Sequence, residues 1–109
     1  GFSINYAVCL SVLKTIRKFV PDQTIIKWPN DILSGHKKIS GILIENTIRS
    51  NKINSSIIGT GININQIIFR NSINATSLKD LSNKDFYVNA VLDELIHNYK
   101  FSSLFFPFF

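Results

Sequence analysis

Apolar side chains recur at helical spacing through Ile4, Val8, Val12, Ile16 and Phe19, with Cys9 and Leu13 beside them. Asn5, Ser11, Lys14 and Lys18 fall on the wetter side. The pattern predicts a helix over 3–19, capped by Ser3 and stopped by Pro21-Asp22. Cys9 lies on the apolar stripe and reads as a core residue rather than a nucleophile. The period then changes. Residues 24–27 are a short β-branched strand, Ile32-Leu33 is another, and Ser34-Gly35-His36-Lys37 has hairpin-turn chemistry. Lys38 to Thr47 reads as an Ile-rich strand, Ser50-Asn51-Lys52 as a reversal, and Ile53 to Asn63 as its antiparallel partner. After an Asn-rich loop come a short helix near Ser77–Leu81 and a longer one from Asn83 or Lys84 to Tyr99. Helix, hairpin-linked strands, then helices indicate an α+β fold, with helices packed on a mostly antiparallel sheet.

Composition narrows the picture. With 109 residues, 45% of them apolar and 17% charged, the chain has room for one small packed domain. One cysteine excludes an internal disulfide framework and a cysteine-rich zinc site. The net charge of +5 invites a nucleic-acid reading, but the basic residues are dispersed from Lys14 to Lys100 and match no binding signature. Ile, Asn, Lys and Phe dominate the composition, a bias typical of low-GC coding, which raises lysine content without any polyanion partner. No apolar run reaches the roughly 18 residues that a membrane span needs, and no signal-peptide pattern is present. A cytoplasmic protein without nucleic-acid or membrane partners is expected. The chain starts at Gly1 and contains no methionine, so it reads as an internal piece of a longer protein. Its last nine residues, 101–109, are Phe-rich. They read as a truncated end or as a segment packing on regions beyond this chain.

Three stretches carry chemistry. In Lys27-Trp28-Pro29-Asn30-Asp31-Ile32, Pro29 restricts Trp28 to extended backbone. Trp28 offers a flat apolar wall there, and Asp31 a carboxylate for a metal or a lysine. In Lys38-Ile39-Ser40-Gly41-Ile42-Leu43-Ile44-Glu45, a lysine opens an apolar strand and can hold an anion while its stem is covered. Gly41 weakens the strand and suits close approach by a ligand. Lys38 and Gly41 have opposite parity on a regular strand, so Gly41 would reach a shared ligand through its backbone. In Ile58-Gly59-Thr60-Gly61-Ile62-Asn63, the Gly-x-Gly does not complete a dinucleotide fingerprint, since position 64 is Ile. It reads either as a bend at a strand end or as a site that uses Asn63 as a polar ligand group.

These three stretches, in this order and with the step from Asn30 to Lys38, resemble the catalytic domain of biotin–protein ligases, within the biotin/lipoate protein ligase family. Ala75-Thr76-Ser77-Leu78 is similar to the segment that follows in that family. The resemblance covers roughly residues 4–100, read as the C-terminal part of a class II synthetase-like catalytic domain (residues 1–100), with 101–109 as a separate tail. It implies that biotin and ATP, with Mg²⁺, give biotinyl-5′-AMP. The acyl group then passes to a lysine of a biotin carboxyl carrier protein, such as an acetyl-CoA carboxylase subunit. It further implies Lys38 as the catalytic cation contacting biotin, and Asp31 as the group orienting Lys38 or a Mg²⁺ ion. Gly41 and Trp28 fall at the biotin side, and Asn30, Asp31 and Asn63 at the ATP side. His36, His97 and Lys37 are expected at the surface.

The departures also count. The family's Gly-Arg-Gly-Arg-type loop and its first biotin-contacting strands do not occur in these residues, so the 109 residues alone are expected to be inactive. A lipoate or octanoate acyltransferase on the same fold is the alternative enzyme. A non-catalytic binding or regulatory module is the alternative of another class. The sheet could also support edge-to-edge homodimerisation.

Overall fold

Residues Ile4–Phe19 form α1, which buries Val8, Val12 and Ile16 completely or nearly so, as the apolar spacing requires. The structure is a computed structural model and describes residues 4–21, 24–70 and 74–105, with 101–105 as backbone alone. The expected cap Ser3, the stop residue Asp22 and the end of the Phe-rich tail lie outside the described residues. Arg17, in the last turn of α1, donates to the backbone carbonyl of Thr24 and so ties the helix end to the first strand.

Four strands follow: β1 (Thr24–Lys27), β2 (Asp31–Ser34), β3 (Lys37–Arg49) and β4 (Lys52–Ile62). They pair antiparallel in sequence order, β1-β2-β3-β4. The turns obey local chemistry. Gly35 takes φ +61° in the two-residue turn between β2 and β3, a conformation glycine adopts at no steric cost. Ser50 (φ 51°) and Asn51 (φ 63°) are both left-handed between β3 and β4, the pairing of a type I′ hairpin. At the hairpin β3 and β4 run a residue or two beyond the predicted limits because this tight turn lets pairing continue to Arg49↔Lys52, past a bulge that leaves Asn54 as an extra residue on β4.

One irregularity shapes everything downstream. Leu33 pairs with Lys38 and Ile32 with Ser40, so Ile39 is an extra residue on β3. This β-bulge lets both Ile39 (0% exposed) and Ser40 (2%) face the core, where strict alternation would bury only one of them. Beyond it, Ile42 and Ile44 continue the core face, opposite Thr60 and Ile58 of β4.

Ser77 caps the short α2 (Leu78–Ser82), its Oγ accepting from the Asp80 N–H at 2.9 Å, and Asn83 ends it in the left-handed conformation. The last helix, α3, spans Val88–Phe105, starting later than its apolar pattern predicts and running past Tyr99. The delay has a clear cause. Asn65 clamps the Phe86 backbone from both sides, donating to its carbonyl at 2.8 Å and accepting from its N–H at 2.9 Å, so residues 83–87 stay a connector.

The core lies between the sheet and the helices. Val8, Val12 and Ile16 of α1 meet Val91 and Leu95 of α3 over Ile32, Ile39 and Ile42 of the sheet. A fully buried side chain of this kind contributes about 1.5–3 kcal/mol relative to exposure. Among the described residues the buried polar side chains are satisfied. Thr15 donates to the Ser11 carbonyl at 2.8 Å and accepts from Asn98 at 3.0 Å, which joins α1 to α3. The sheet's other face carries no helix among the described residues, and the candidate residues gather there.

Candidate functional site

The bulge decides where the Lys38 side chain goes. On a regular strand it would share a face with Ser40 and point into the core. The extra residue returns it to the open face, the one from which a Cβ on Gly41 would project. Such a Cβ would lie 3.1 Å from Lys38 Cε and 3.2 Å from Nζ. The parity expectation is therefore corrected: Lys38 and Gly41 serve one face, and the lysine stem crosses directly over the glycine. The missing side chain at Gly41 is the space the ammonium occupies.

Asp31 sits beside them. It pairs with Gly41 in register, and its carboxylate Oδ1 is 3.0 Å from Lys38 Nζ. Both side chains are partly exposed, so this ion pair contributes little net stability. Its value is positional. It uses one of the three ammonium donors and aims the others over the sheet.

The cleft has a volume of about 380 Å³ and is lined by Lys38, Ile39, Ser40, Gly41, Gly61, Asn63 and Ala75. Its floor is bare because Gly41 lies directly opposite Gly61, and Gly59 lies opposite Leu43. Its end wall is pinned by backbone. Beyond the Ser40↔Ile62 pair, residues 74–76 take over the lane beside β3. Lys38 N–H donates to the Asn74 carbonyl at 2.8 Å, and Thr76 N–H donates to the Lys38 carbonyl at 3.0 Å. Asn63 binds the same wall, its N–H donating to the Ile39 carbonyl at 2.9 Å and its Nδ2 to the Thr76 carbonyl at 3.1 Å. Asn63 lines the cleft with its amide held by this bond. Lys38 thus carries its charged head, held by Asp31, on a backbone fixed from both flanks.

The other expected residues sit apart. Trp28 is half exposed and stacks on Tyr6 of α1, with ring centroids 5.9 Å apart and planes 18° apart. Asn30 contributes its backbone carbonyl, which accepts from the Ile42 N–H at 2.8 Å. Neither lines the cleft. His36 and Lys37 are exposed at the β2–β3 turn. Cys9 is fully buried, and burial, reinforced by the negative charge of Asp31, pushes its thiol pKa up. It is therefore the opposite of an activated nucleophile. Ser40 and Ala75 line the cleft without having been singled out as site residues. Ser40 donates to the Gly61 carbonyl at 2.7 Å and locks the two glycine strands together. The single signal for them would have been the bulge, which alternation alone does not reveal.

Chemically, the cleft offers one oriented cation above a side-chain-free floor, with a carboxylate at one flank and an amide at the other. That suits an anionic group brought close to backbone. Among the described residues no three of His, Cys, Asp and Glu come together as a metal cage. No helix of the described chain is long and apolar enough to cross a membrane.

Comparison with known proteins gives a consistent result. A profile of the biotin/lipoate A/B protein ligase family matches residues 2–63. The bifunctional ligase/repressor BirA of Bacillus subtilis is 47% identical over 63 residues, which cover 58% of this chain and 19% of that protein. BirA of Escherichia coli is 31% identical over 64 residues, covering 59% and 20%. Among solved structures, the apo biotin protein ligase of Aquifex aeolicus superposes with a TM-score of 0.79 at 30% identity, over 94% of this chain and 45% of that one. The same enzyme in complex with biotin and ATP gives 0.74 at 31% identity, over 88% and 40%. The chain thus spans about a fifth of the curated relatives and under half of the solved ones.

Proposed function

This chain belongs to the biotin/lipoate A/B protein ligase family, and from that premise we propose that it carries the Lys38 half of an ATP-dependent biotin–protein ligase site. In the first step a biotin carboxylate oxygen attacks the α-phosphorus of ATP. The bond from that phosphorus to the bridging oxygen of the β-phosphate breaks, giving biotinyl-5′-AMP and pyrophosphate. In the second step the amine of a carrier-protein lysine attacks the acyl carbon, AMP leaves, and the nitrogen loses a proton. The carrier is a biotin carboxyl carrier protein. The observation supporting this reading is the Lys38 ammonium held by Asp31 at 3.0 Å above the Gly41 floor.

Two anions must meet in the first step. A fixed cation at their junction lowers their repulsion and stabilises the charge that builds on the pentavalent phosphorus. Lys38 fills that role as an electrostatic and positioning group, not as a covalent one. Asp31 fixes the ammonium, and the bare Gly41–Gly61 floor admits the biotin side of the ligand. Asn63 faces the nucleotide, while Trp28 and Asn30 shape the approach from outside the cleft. Mg²⁺ fits as an ion carried in by the phosphates. Among the described residues no carboxylate lines the cleft and Asp31 stands at its flank, so a metal there must keep most of its ligands from phosphate and water. Because the Gly-Arg-Gly-Arg-type loop is not among these residues, the 109 residues by themselves are proposed not to complete the reaction.

The test uses the complete encoded polypeptide that contains this sequence, with a biotin carrier domain, and compares label transfer from biotin and from lipoate. Biotin transfer that collapses in Lys38→Ala is expected. Lipoate transfer without biotin transfer would assign the site to the alternative acyltransferase. Absence of both would favour a binding module.

A further inference from the structure

In the segment Ala75-Thr76-Ser77-Leu78, Ala75 lines the cleft and Thr76 is fully buried behind it. Thr76 is a hub of hydrogen bonds. Its N–H donates to the Lys38 carbonyl at 3.0 Å. Its own carbonyl accepts from Asn63 Nδ2 at 3.1 Å. Its hydroxyl donates to Asp80 Oδ2 at 2.8 Å. One residue is thus bonded to the lysine and to the asparagine of the cleft and, through its side chain, to α2. Asp80 is placed for this by the helix start. In an ordinary capping box the acidic residue of the first turn reaches back to the backbone N–H of the cap residue. Here the cap is Ser77, whose Oγ accepts from the Asp80 N–H at 2.9 Å. The Asp80 carboxylate reaches one residue further, to the Thr76 hydroxyl. The same turn grips the chain that leaves β4. Leu78 N–H donates to the Asn63 carbonyl at 3.1 Å, and Lys79 N–H to the Ile64 carbonyl at 2.8 Å.

From these bonds we infer that Thr76 is a positioning residue for biotinyl-adenylate formation. It fixes the Lys38 backbone and the Asn63 amide relative to each other, and Asp80 holds it in that setting. The inference rests on the adenylate-forming reading of the cleft. That reaction needs a cation at the junction of carboxylate and α-phosphate, and a polar group on the nucleotide side, in place together. A displacement of about 1 Å at such a centre can cost about 10²-fold in rate. The ion pair with Asp31 aims the Lys38 ammonium, and Thr76 sets where the strand that carries it lies. The side chain is what makes the setting rigid. A β-branched residue has few rotamers, and with its hydroxyl bound to Asp80 the peptide groups on either side of Thr76 are held as well. Thr76 acts through Lys38 and Asn63 and does not itself line the cleft.

The complete encoded polypeptide is compared as wild type, Thr76→Val, Thr76→Ser, Asp80→Ala, Asp80→Asn and Ser82→Ala, with Thr76→Val also made on a Lys38→Ala background. Thr76→Val keeps the shape and loses the hydroxyl, and the exposed Asp80 that it releases can hydrate. Its single-turnover rate of biotinyl-adenylate formation is expected to fall about tenfold. Asp80→Ala should match it. Thr76→Ser, which keeps the hydroxyl, and Asp80→Asn, which keeps an acceptor, should stay near wild type. Ser82 Oγ donates to the Leu78 carbonyl at 2.7 Å, so Ser82→Ala perturbs the same helix without touching Thr76 and should also keep its rate. On the Lys38→Ala background, Thr76→Val should cost only about twofold, because the two residues act as a unit. An unchanged rate in Thr76→Val, an equal loss on both backgrounds, or an equal loss in Ser82→Ala overturns the inference. A wild type that forms no biotinyl-adenylate would instead defeat the functional reading, and amide hydrogen exchange then decides the positioning. The Lys38 N–H, bonded to the Asn74 carbonyl, should exchange about tenfold faster in Thr76→Val. Unchanged exchange there overturns the inference.

Discussion

At the scale of single residues, the site depends on one missing side chain and one extra residue. Gly41 is bare so that the Lys38 stem can cross it. A Cβ there would meet Cε and Nζ of that lysine at 3.1 and 3.2 Å. The far end of a flexible side chain gives way cheaply, so Gly41→Ala should change unfolding free energy by no more than about 1 kcal/mol. It should also displace the ammonium from Asp31 and lower biotinyl-adenylate formation about tenfold or more. Urea denaturation and single-turnover adenylate assays on the same preparation separate the two effects. Equal losses of stability and rate would mean that Gly41 is structural. Lys38, Asp31, Gly41 and Asn63 were legible from the sequence as a set, because their strings carry a family resemblance. Their shared face was not. Alternation places Lys38 and Gly41 on opposite faces, and the bulge at Ile39 that reverses this is specified by packing across strands, which no local pattern encodes.

At the scale of elements, regular periodicity was the reliable guide, and side-chain clamps were the hidden one. The 3.6-residue stripe of α1 and the Ile-rich alternation of β3 and β4 predicted those elements to within a few residues. The helical pattern extends α3 too far toward its start because Phe86 fits its apolar face, while Asn65, distant in sequence, holds the Phe86 backbone outside the helix. The β3–β4 hairpin allows a sharper test. Its turn demands φ above zero at both Ser50 and Asn51, which glycine supplies without steric cost. Asn51→Gly should preserve the turn and raise stability by up to about 1 kcal/mol, read as a higher urea midpoint at unchanged m-value. A lower midpoint would show that the hairpin does not rely on the type I′ conformation.

At the scale of the whole molecule, helices α1 and α3 cover one face of the four-stranded sheet, and the candidate site lies on the other. The covered side also adds a pH dependence of stability on the alkaline side. Burial raises the pKa of the Cys9 thiol, and burial likewise raises that of the Tyr99 hydroxyl, whose hydrogen bond with Thr60 partly opposes the shift. Both groups are held protonated in the folded state, so their stabilisation is complete below the pKa values of the unfolded chain. It is lost as pH rises through the higher folded values. Stability should fall on the alkaline side, beyond the ordinary thiol and phenol ranges, and Cys9→Ser with Tyr99→Phe should flatten that fall in a pH series of thermal midpoints. The open side holds the central claim, that Lys38 stabilises adenylate formation over the glycine floor. Biotin-dependent exchange of labelled pyrophosphate into ATP by the complete encoded polypeptide measures that step alone. Exchange that requires biotin and falls by about 10²–10³-fold in Lys38→Ala, the size expected for losing one preorganised electrostatic contact, is the predicted result. Exchange at the wild-type rate in Lys38→Ala would contradict it.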